Sequence, residues 1–234
     1  MGSNALLDML VEDIDSVFLK QFHSRIETVW NEAIARSIKD PSIDPSVKRY
    51  CFGHDKYFLT QSMFLKLGAE CGYESKIVPC EQNNYPIPVV TVKRFRITAH
   101  NTFKPDEKYA PNPSRTRKQD SKINNEYLRR GQGNLFGPTF DDSKLHEADG
   151  IQANILFGCG GNGLEFKTNG FLQIAFPSFE TESENGKDTR KVLLVENFKL
   201  LDVLALVSNK ERGKQARPTV TVATPKLKVS ETEL

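Results

Sequence analysis

The spacing of apolar residues changes period once along this chain, and that change limits the fold more than any other feature. Between Asn4 and Ile38 the apolar positions, among them Leu10, Ile14, Phe18, Phe22, Ile26 and Trp30, recur at steps of three and four, which lines one side of an α-helix. From Pro86 to His100, and again from Ile151 to Phe198, β-branched and aromatic residues alternate with polar ones, the two-residue period of a strand. Helices first and strands afterwards predict an α+β fold: an N-terminal helical part, a mainly antiparallel sheet, a short closing helix and a basic tail.

The first stripe predicts one long helix or a close pair, capped at Ser3 or Asn4 and ended by Pro41 and Pro45. A single helix of roughly 35 residues would be about 50 Å long, more than a small core requires. Part of the stripe is therefore expected to meet a second subunit in a homodimer, with a bent hairpin buried inside one chain as the alternative. A second helix is expected from Asp55 to about Ala69, burying Tyr57, Phe58, Met63, Phe64 and Leu67. Residues 86–100 read as a strand with a bulge at Lys93-Arg94, and Pro86 and Pro88 place its start at a sheet edge or outside the sheet. Residues 101–139, rich in Pro, Asn, Ser and Gln, read as a long loop or arm. Residues 151–158 and 164–176 form a predicted hairpin around Cys159–Gly163, which turns near Gly161. A third strand, 191–198, follows an acidic loop containing Asn185-Gly186, and Leu200–Val207 reads as the closing helix. The expected organisation is an N-terminal helical segment at 1–50, an α+β domain at 51–209 carrying the arm, and a flexible basic tail at 210–234.

No run of eighteen apolar residues occurs, so no membrane span is expected. Asp8, Glu12, Asp13 and Asp15 interrupt the apolar region that a secretory leader would need, which predicts a cytoplasmic protein. Four cysteines, Cys51, Cys71, Cys80 and Cys159, form no closely spaced framework, and reduced thiols are expected.

The overall charge of +2 conceals strong local differences. Lys93 to Arg130 holds eleven Lys and Arg against four acids, a balance of +7. Asp141 to Asp188 holds nine acids against three lysines, a balance of −6, and Lys210 to Lys228 holds six bases against one acid. Clustered bases bind phosphate backbones by releasing counterions. Arg94, Arg96, Arg115, Arg117, Lys118, Arg129 and Arg130 are the candidate nucleic-acid contacts, and Tyr109 and Tyr127 are placed to stack on unpaired bases. The same charge map also suits a protein-interaction module, in which the basic arm lies on the acidic face of its own or a neighbouring subunit, or a merely solvated loop.

Four enzymatic or metal patterns compete with that reading. Asp149 with Glu165-Phe166-Lys167 has the residue types of the D…ExK metal-dependent nucleases, but the predicted hairpin separates the two acids by about 25 Å. Arg94-x5-His100 resembles the arginine-to-histidine spacing of a family of helical ribonucleases, which implies an acid–base His100 beside Arg94 or Arg96, although this stretch alternates as a strand. Cys51-x2-His54 with Cys71 and Cys80 offers zinc ligand types without a standard spacing. Gly158–Gly163 is glycine-rich like a phosphate loop, yet a strand follows it where a helix is needed. The expected function is thus non-enzymatic nucleic-acid binding, possible regulation included, with no metal or cofactor assigned. The alternatives are a dimerising protein-interaction module that sequesters or inhibits a partner, and then a divalent-metal nuclease.

Overall fold

Asp15 divides the N-terminal stripe in two. The protein, a computed structural model, is described over residues 5–79, 86–101, 124, 150–159, 170–184 and 187–215. Helix α1 (Ala5–Asp13) stops before Asp15, whose extended backbone and carboxylate cap α2 (Ser16–Ala33) by accepting the Phe18 N–H at 2.8 Å. That bond satisfies one of the donors a new helix leaves open. A π-helical turn over Ile34–Ile38 follows, closed by the Lys39 N–H on the Ile34 carbonyl. Two Asp-Pro-Ser turns come next: Asp40 and Asp44 each accept the backbone N–H and the hydroxyl of the serine two residues on. These bonds hold both carboxyls below their ordinary pKa.

Helix α3 (Lys48–Glu70) begins earlier than expected and does not bury everything assigned to it. Met63, Phe64 and Leu67 are buried, but Phe58 is 50% exposed and Tyr57 is half-buried. Its C-terminal turn ends at Gly72, whose φ of +77° suits glycine.

Six strands form one sheet in the order β1 (Glu74–Pro79), β2 (Pro86–Val92), β3 (Phe95–Asn101), β4 (Ile151–Cys159), β5 (Gly170–Glu184) and β6 (Lys187–Lys199). Neighbours are antiparallel except β3 and β4, which run parallel. A parallel pair cannot be joined by a tight turn, so the chain between Asn101 and Gly150 is the crossover. The single strand expected at 86–100 is a hairpin. Val92 pairs with Phe95 across Lys93-Arg94, and Lys93 has φ +46°. A two-residue turn breaks the alternation as a bulge does, because paired residues point to the same face. Pro86 and Pro88 pair with β1 alone, since β3 reaches only Val90–Val92.

The second hairpin has a different register from the predicted one. Cys159 pairs with Gly170 and Leu156 with Gln173, so the turn lies later than Gly161. The loop expected before 191 is strand: β5 and β6 pair continuously from Pro177↔Leu194 to Glu184↔Lys187. Strand β1 has no counterpart among the expected elements. Helix α4 (Leu200–Gln215) buries Leu200, Val203 and Val207 and runs past the boundary expected at 210.

The four described helices contribute to one core on one face of the sheet. Phe18 and Phe22 of α2 each meet Phe64 of α3 edge-on with centroids 6.0 Å apart, and Phe22 and Trp30 reach Phe157 of β4 at 6.4 and 6.5 Å. Such T-shaped pairs add to the burial of apolar area itself. The N-terminal stripe is consumed here, with Leu10, Phe18, Phe22 and Ile26 fully buried within one chain. The bent arrangement is therefore the one observed, and the stripe is not left over for a second subunit.

Candidate nucleic-acid interface

Of the seven bases expected to meet phosphate, Arg94 and Arg96 lie among the described residues; Arg115, Arg117, Lys118, Arg129 and Arg130 lie outside them. The β2–β3 turn points Arg94 at α1. Its guanidinium donates to both carboxylate oxygens of Asp13, at 2.7 and 3.0 Å, and to Glu12 at 3.0 Å. Hydrogen bonding to Asp13 raises its pKa against the cost of burial, with Glu12 adding to the rise. Lys93 stands 3.7 Å from the same Asp13. A two-pronged arginine–carboxylate contact is among the stronger polar interactions available to a fold. Arg94 thus ties the sheet to the first helix.

Arg96 lies two residues further, on the face opposite the helices. Residues along a strand alternate, so Arg96, Thr98 and His100 share that face. Beside them on β4 stand Gln152 and Asn154, paired in register with Arg96 and Thr98, and Gln173 of β5 pairs with Leu156. Thr98, Gln152, Asn154 and Gln173 are all buried. Thr98 donates its hydroxyl to Asn154 Oδ1 at 2.9 Å and lies 2.7 Å from His100 Nε2. With the single Thr98 proton given to Asn154, the hydroxyl accepts from the ring, which puts a proton on Nε2. His100 is in this way oriented by a neighbour on its own strand.

Arg94 and His100 do not form a site together. One occupies the turn before β3 and the other lies near its far end, about 20 Å of strand away. The zinc pattern fails on similar grounds. Cys51 and Cys71 sit near the start and just past the end of one 23-residue helix, roughly 30 Å apart. Burial, together with the Asp15 and Glu70 carboxylates, pushes the Cys71 thiol up and keeps it protonated. Cys80 lies outside the described residues, as do Asp149, Glu165 and Lys167 of the nuclease pattern and Tyr109 and Tyr127. Gly158 belongs to β4, and Gly160, Gly161 and Gly163 lie outside.

Two features escaped sequence reasoning. Asn124, from within the expected arm, is 0% exposed, and its carboxamide makes two 2.8 Å hydrogen bonds to the main chain of Gln152. No periodicity marks such a residue. The other is a stripe on the outer side of α3, where Tyr50 is 75% exposed and His54 stacks on the half-exposed Phe58 at 6.3 Å. The four-residue steps Tyr50, His54, Phe58 are visible in the sequence, but aromatics in an amphipathic helix read first as core.

No protein-family model matches the chain, and neither the curated proteins nor the solved structures give a match. Among the described residues no helix is long and apolar enough to cross a membrane, and no cluster of three or more metal-ligating side chains is present.

Proposed function

We propose that this chain is a non-enzymatic nucleic-acid-binding protein whose phosphate contacts come from the basic segment entering and occupying the β3–β4 crossover. The observation that carries the reading is the balance of +7 between Lys93 and Arg130 in a chain whose total charge is only +2. Asp13 and Glu12 engage the Arg94 guanidinium, whereas Lys93 stays 66% exposed beside Asp13. Nine bases against four acids remain from Arg96 to Arg130, enough for several phosphate contacts.

Affinity for short DNA and RNA, measured between low and physiological salt, tests this. Replacing Arg115, Arg117, Lys118, Arg129 and Arg130 together with Ala is expected to flatten the dependence of log K on log salt by about 0.7 to 0.9 for each phosphate that is no longer neutralised. Arg94→Met is the control. It removes one positive charge from the same stretch of sequence, but from a residue held by Asp13, so the slope stays as in wild type. Absence of salt-sensitive binding by wild type, or an unchanged slope in the fivefold variant, would replace this reading by the second one.

That second reading is a protein-interaction module that sequesters or inhibits a partner. The exposed Tyr50–His54–Phe58 stripe favours it, because aromatic side chains are enriched where proteins dock. Nucleic acid that co-purifies and is released by salt supports the first; a partner retained at high salt supports the second.

A further inference from the structure

Helix α3 carries aromatic rings on the side it turns to solvent in its N-terminal half. Tyr50 is 75% and Phe58 50% exposed, and His54 between them is exposed as well. Four-residue steps place the three on one side of the helix, about 6 Å apart along its axis. The His54 and Phe58 planes differ by only 19°, with centroids 6.3 Å apart, so a flat group laid on either ring extends the same stack. The core takes Phe52 and Phe64 from elsewhere on this helix, and the stripe adds little to it. Beneath α3 lies the end of β3. Gln61 donates to the Ala99 carbonyl at 3.0 Å, and Asn101, with its carboxamide oxygen turned toward α3, accepts from Lys56 Nζ at 3.1 Å.

Exposed rings suit a protein partner or a nucleobase, and here area and charge decide between them. Tyr50 and Phe58 together leave open roughly 250 Å², at about 200 Å² for a whole aromatic side chain. Even with His54 and the 44%-exposed Val47 added, the patch falls short of the ~800 Å² that each partner buries in a stable protein interface. One base needs only one ring. Within α3, Lys48, Arg49, Lys56 and Lys66 stand against Asp55 and Glu70, and Glu70 is neutralised by Arg25 at 2.6 Å. Arg49, next to Tyr50, is exposed, and so is Lys66. Positive charge around open rings complements a strand of phosphates that carries flat bases. In a duplex each base face is already covered by its neighbours, so an unpaired strand alone has faces to offer. We infer that Tyr50, His54 and Phe58 form a stacking platform for the bases of single-stranded nucleic acid. This rests on the phosphate-binding reading above and gives it a ligand class, and every residue of the platform lies in α3.

The test uses the full chain and four labelled probes of one length: oligo(dT), oligo(U), a DNA duplex, and a strand with the sugar–phosphate backbone of oligo(dT) but no bases. Wild type is expected to bind oligo(dT) or oligo(U) about tenfold more tightly than the base-free strand at the same salt. Tyr50→Ala should weaken binding to the preferred oligonucleotide about five- to tenfold, and leave the duplex, the base-free strand and the salt slope as they were, because no phosphate contact is lost. Tyr50→Trp, which keeps a ring, should retain wild-type affinity. Tyr50 is 75% exposed, so folding is not at stake; a loss of structure would lower all four affinities together. Whether oligo(dT) or oligo(U) loses more in Tyr50→Ala tells DNA from RNA. Equal wild-type affinity for oligonucleotide and base-free strand, or an oligonucleotide affinity unchanged in Tyr50→Ala, overturns the platform and leaves the phosphate-binding reading standing. Unchanged nucleic-acid affinity with loss of a partner retained at high salt gives the stripe to a protein instead. No binding of any probe by wild type overturns the phosphate-binding reading and this inference with it.

Discussion

Residues 12–16, between the first two helices, gather side chains from distant parts of the chain. Arg94 reaches Glu12 and Asp13 from the first hairpin. The Tyr73 hydroxyl donates to Asp15 and accepts its N–H at 3.1 Å; burial and that carboxylate push the phenol pKa up. Lys210 donates to the Val11 and Glu12 carbonyls at 2.7 and 2.6 Å, placing a cation at the C-terminal end of α1. Glu211 accepts the Ser16 N–H at 2.8 Å and the Ser16 hydroxyl at 2.6 Å, at the positive end of α2. Partial burial works against its ionisation, but the two Ser16 bonds together with Lys20 and Lys210 prevail, and the carboxyl lies below its ordinary 4.5. A carboxyl lowered by folding stabilises the native state fully above the unfolded value. As pH drops below about 4.5 the unfolded chain takes up the proton first, and the contribution vanishes below the folded pKa. Glu211→Gln is therefore expected to lose on the order of 1 kcal/mol at neutral pH and to converge on wild type in acid. Urea midpoints from pH 7 down to about 3 check this. Asp40, Asp44 and Glu70, also lowered, are common to both proteins, so parallel curves would refute the assignment to Glu211.

Helix α3 carries two glycines with opposite consequences. At Gly68 the helix touches the sheet, and a Cβ there would lie 2.3 Å from Ser75 Oγ and 2.7 Å from Val90 Cγ2. Gly53 has nothing within 4 Å of its Cβ position. Gly68→Ala is expected to push α3 off β1 and β2 at a cost of about 1–3 kcal/mol, whereas Gly53→Ala should stabilise the protein by roughly 0.5–1 kcal/mol through helix propensity. Thermal unfolding of the two variants reads the signs directly; a stabilised Gly68→Ala would mean that the helix can lift without loss. The elements also differ in how legible they are in the sequence. The β-branched residues of β2 and β3 announce strand, though not the turn between them; β1 shows nothing, because an edge strand with three charged or proline positions in Glu-Ser-Lys-Ile-Val-Pro has no alternation of burial to display. The N-terminal end of α3 is hidden because its outer face carries aromatics.

The use of the N-terminal stripe is a property of the entire assembly. A stripe too long for a small core suggests a dimer, yet the core here is not small: it runs without interruption from Leu6 of α1 to Val207 of α4 and includes the helix-facing side of the sheet. Leu10 is 0% and Ile14 2% exposed within one chain. Leu10→Asp should accordingly abolish cooperative unfolding, not release folded monomers, because a buried carboxylate without a partner costs more than a protein of this size has in reserve. Circular dichroism alongside light scattering distinguishes the outcomes, and a folded, monomeric Leu10→Asp would show that the stripe does face a second copy. The candidate interface is legible only as charge. The sequence shows that Arg94 is basic; that its guanidinium is held by Asp13, 81 positions away, depends on how the first hairpin meets α1.

Periodicity and composition alone settled the α+β class, with helices first and strands after them, and the alternating basic and acidic regions, because each depends on residues close together along the chain. Folding in three dimensions decided which apolar face covers which, that β3 and β4 run parallel, that Arg94 is held by Asp13, and that Asn124 bonds to the main chain of Gln152. These outcomes join positions tens of residues apart. Local patterns state which face of an element must be buried but not against what, and that choice is made by the packing and hydrogen bonding of all the elements together.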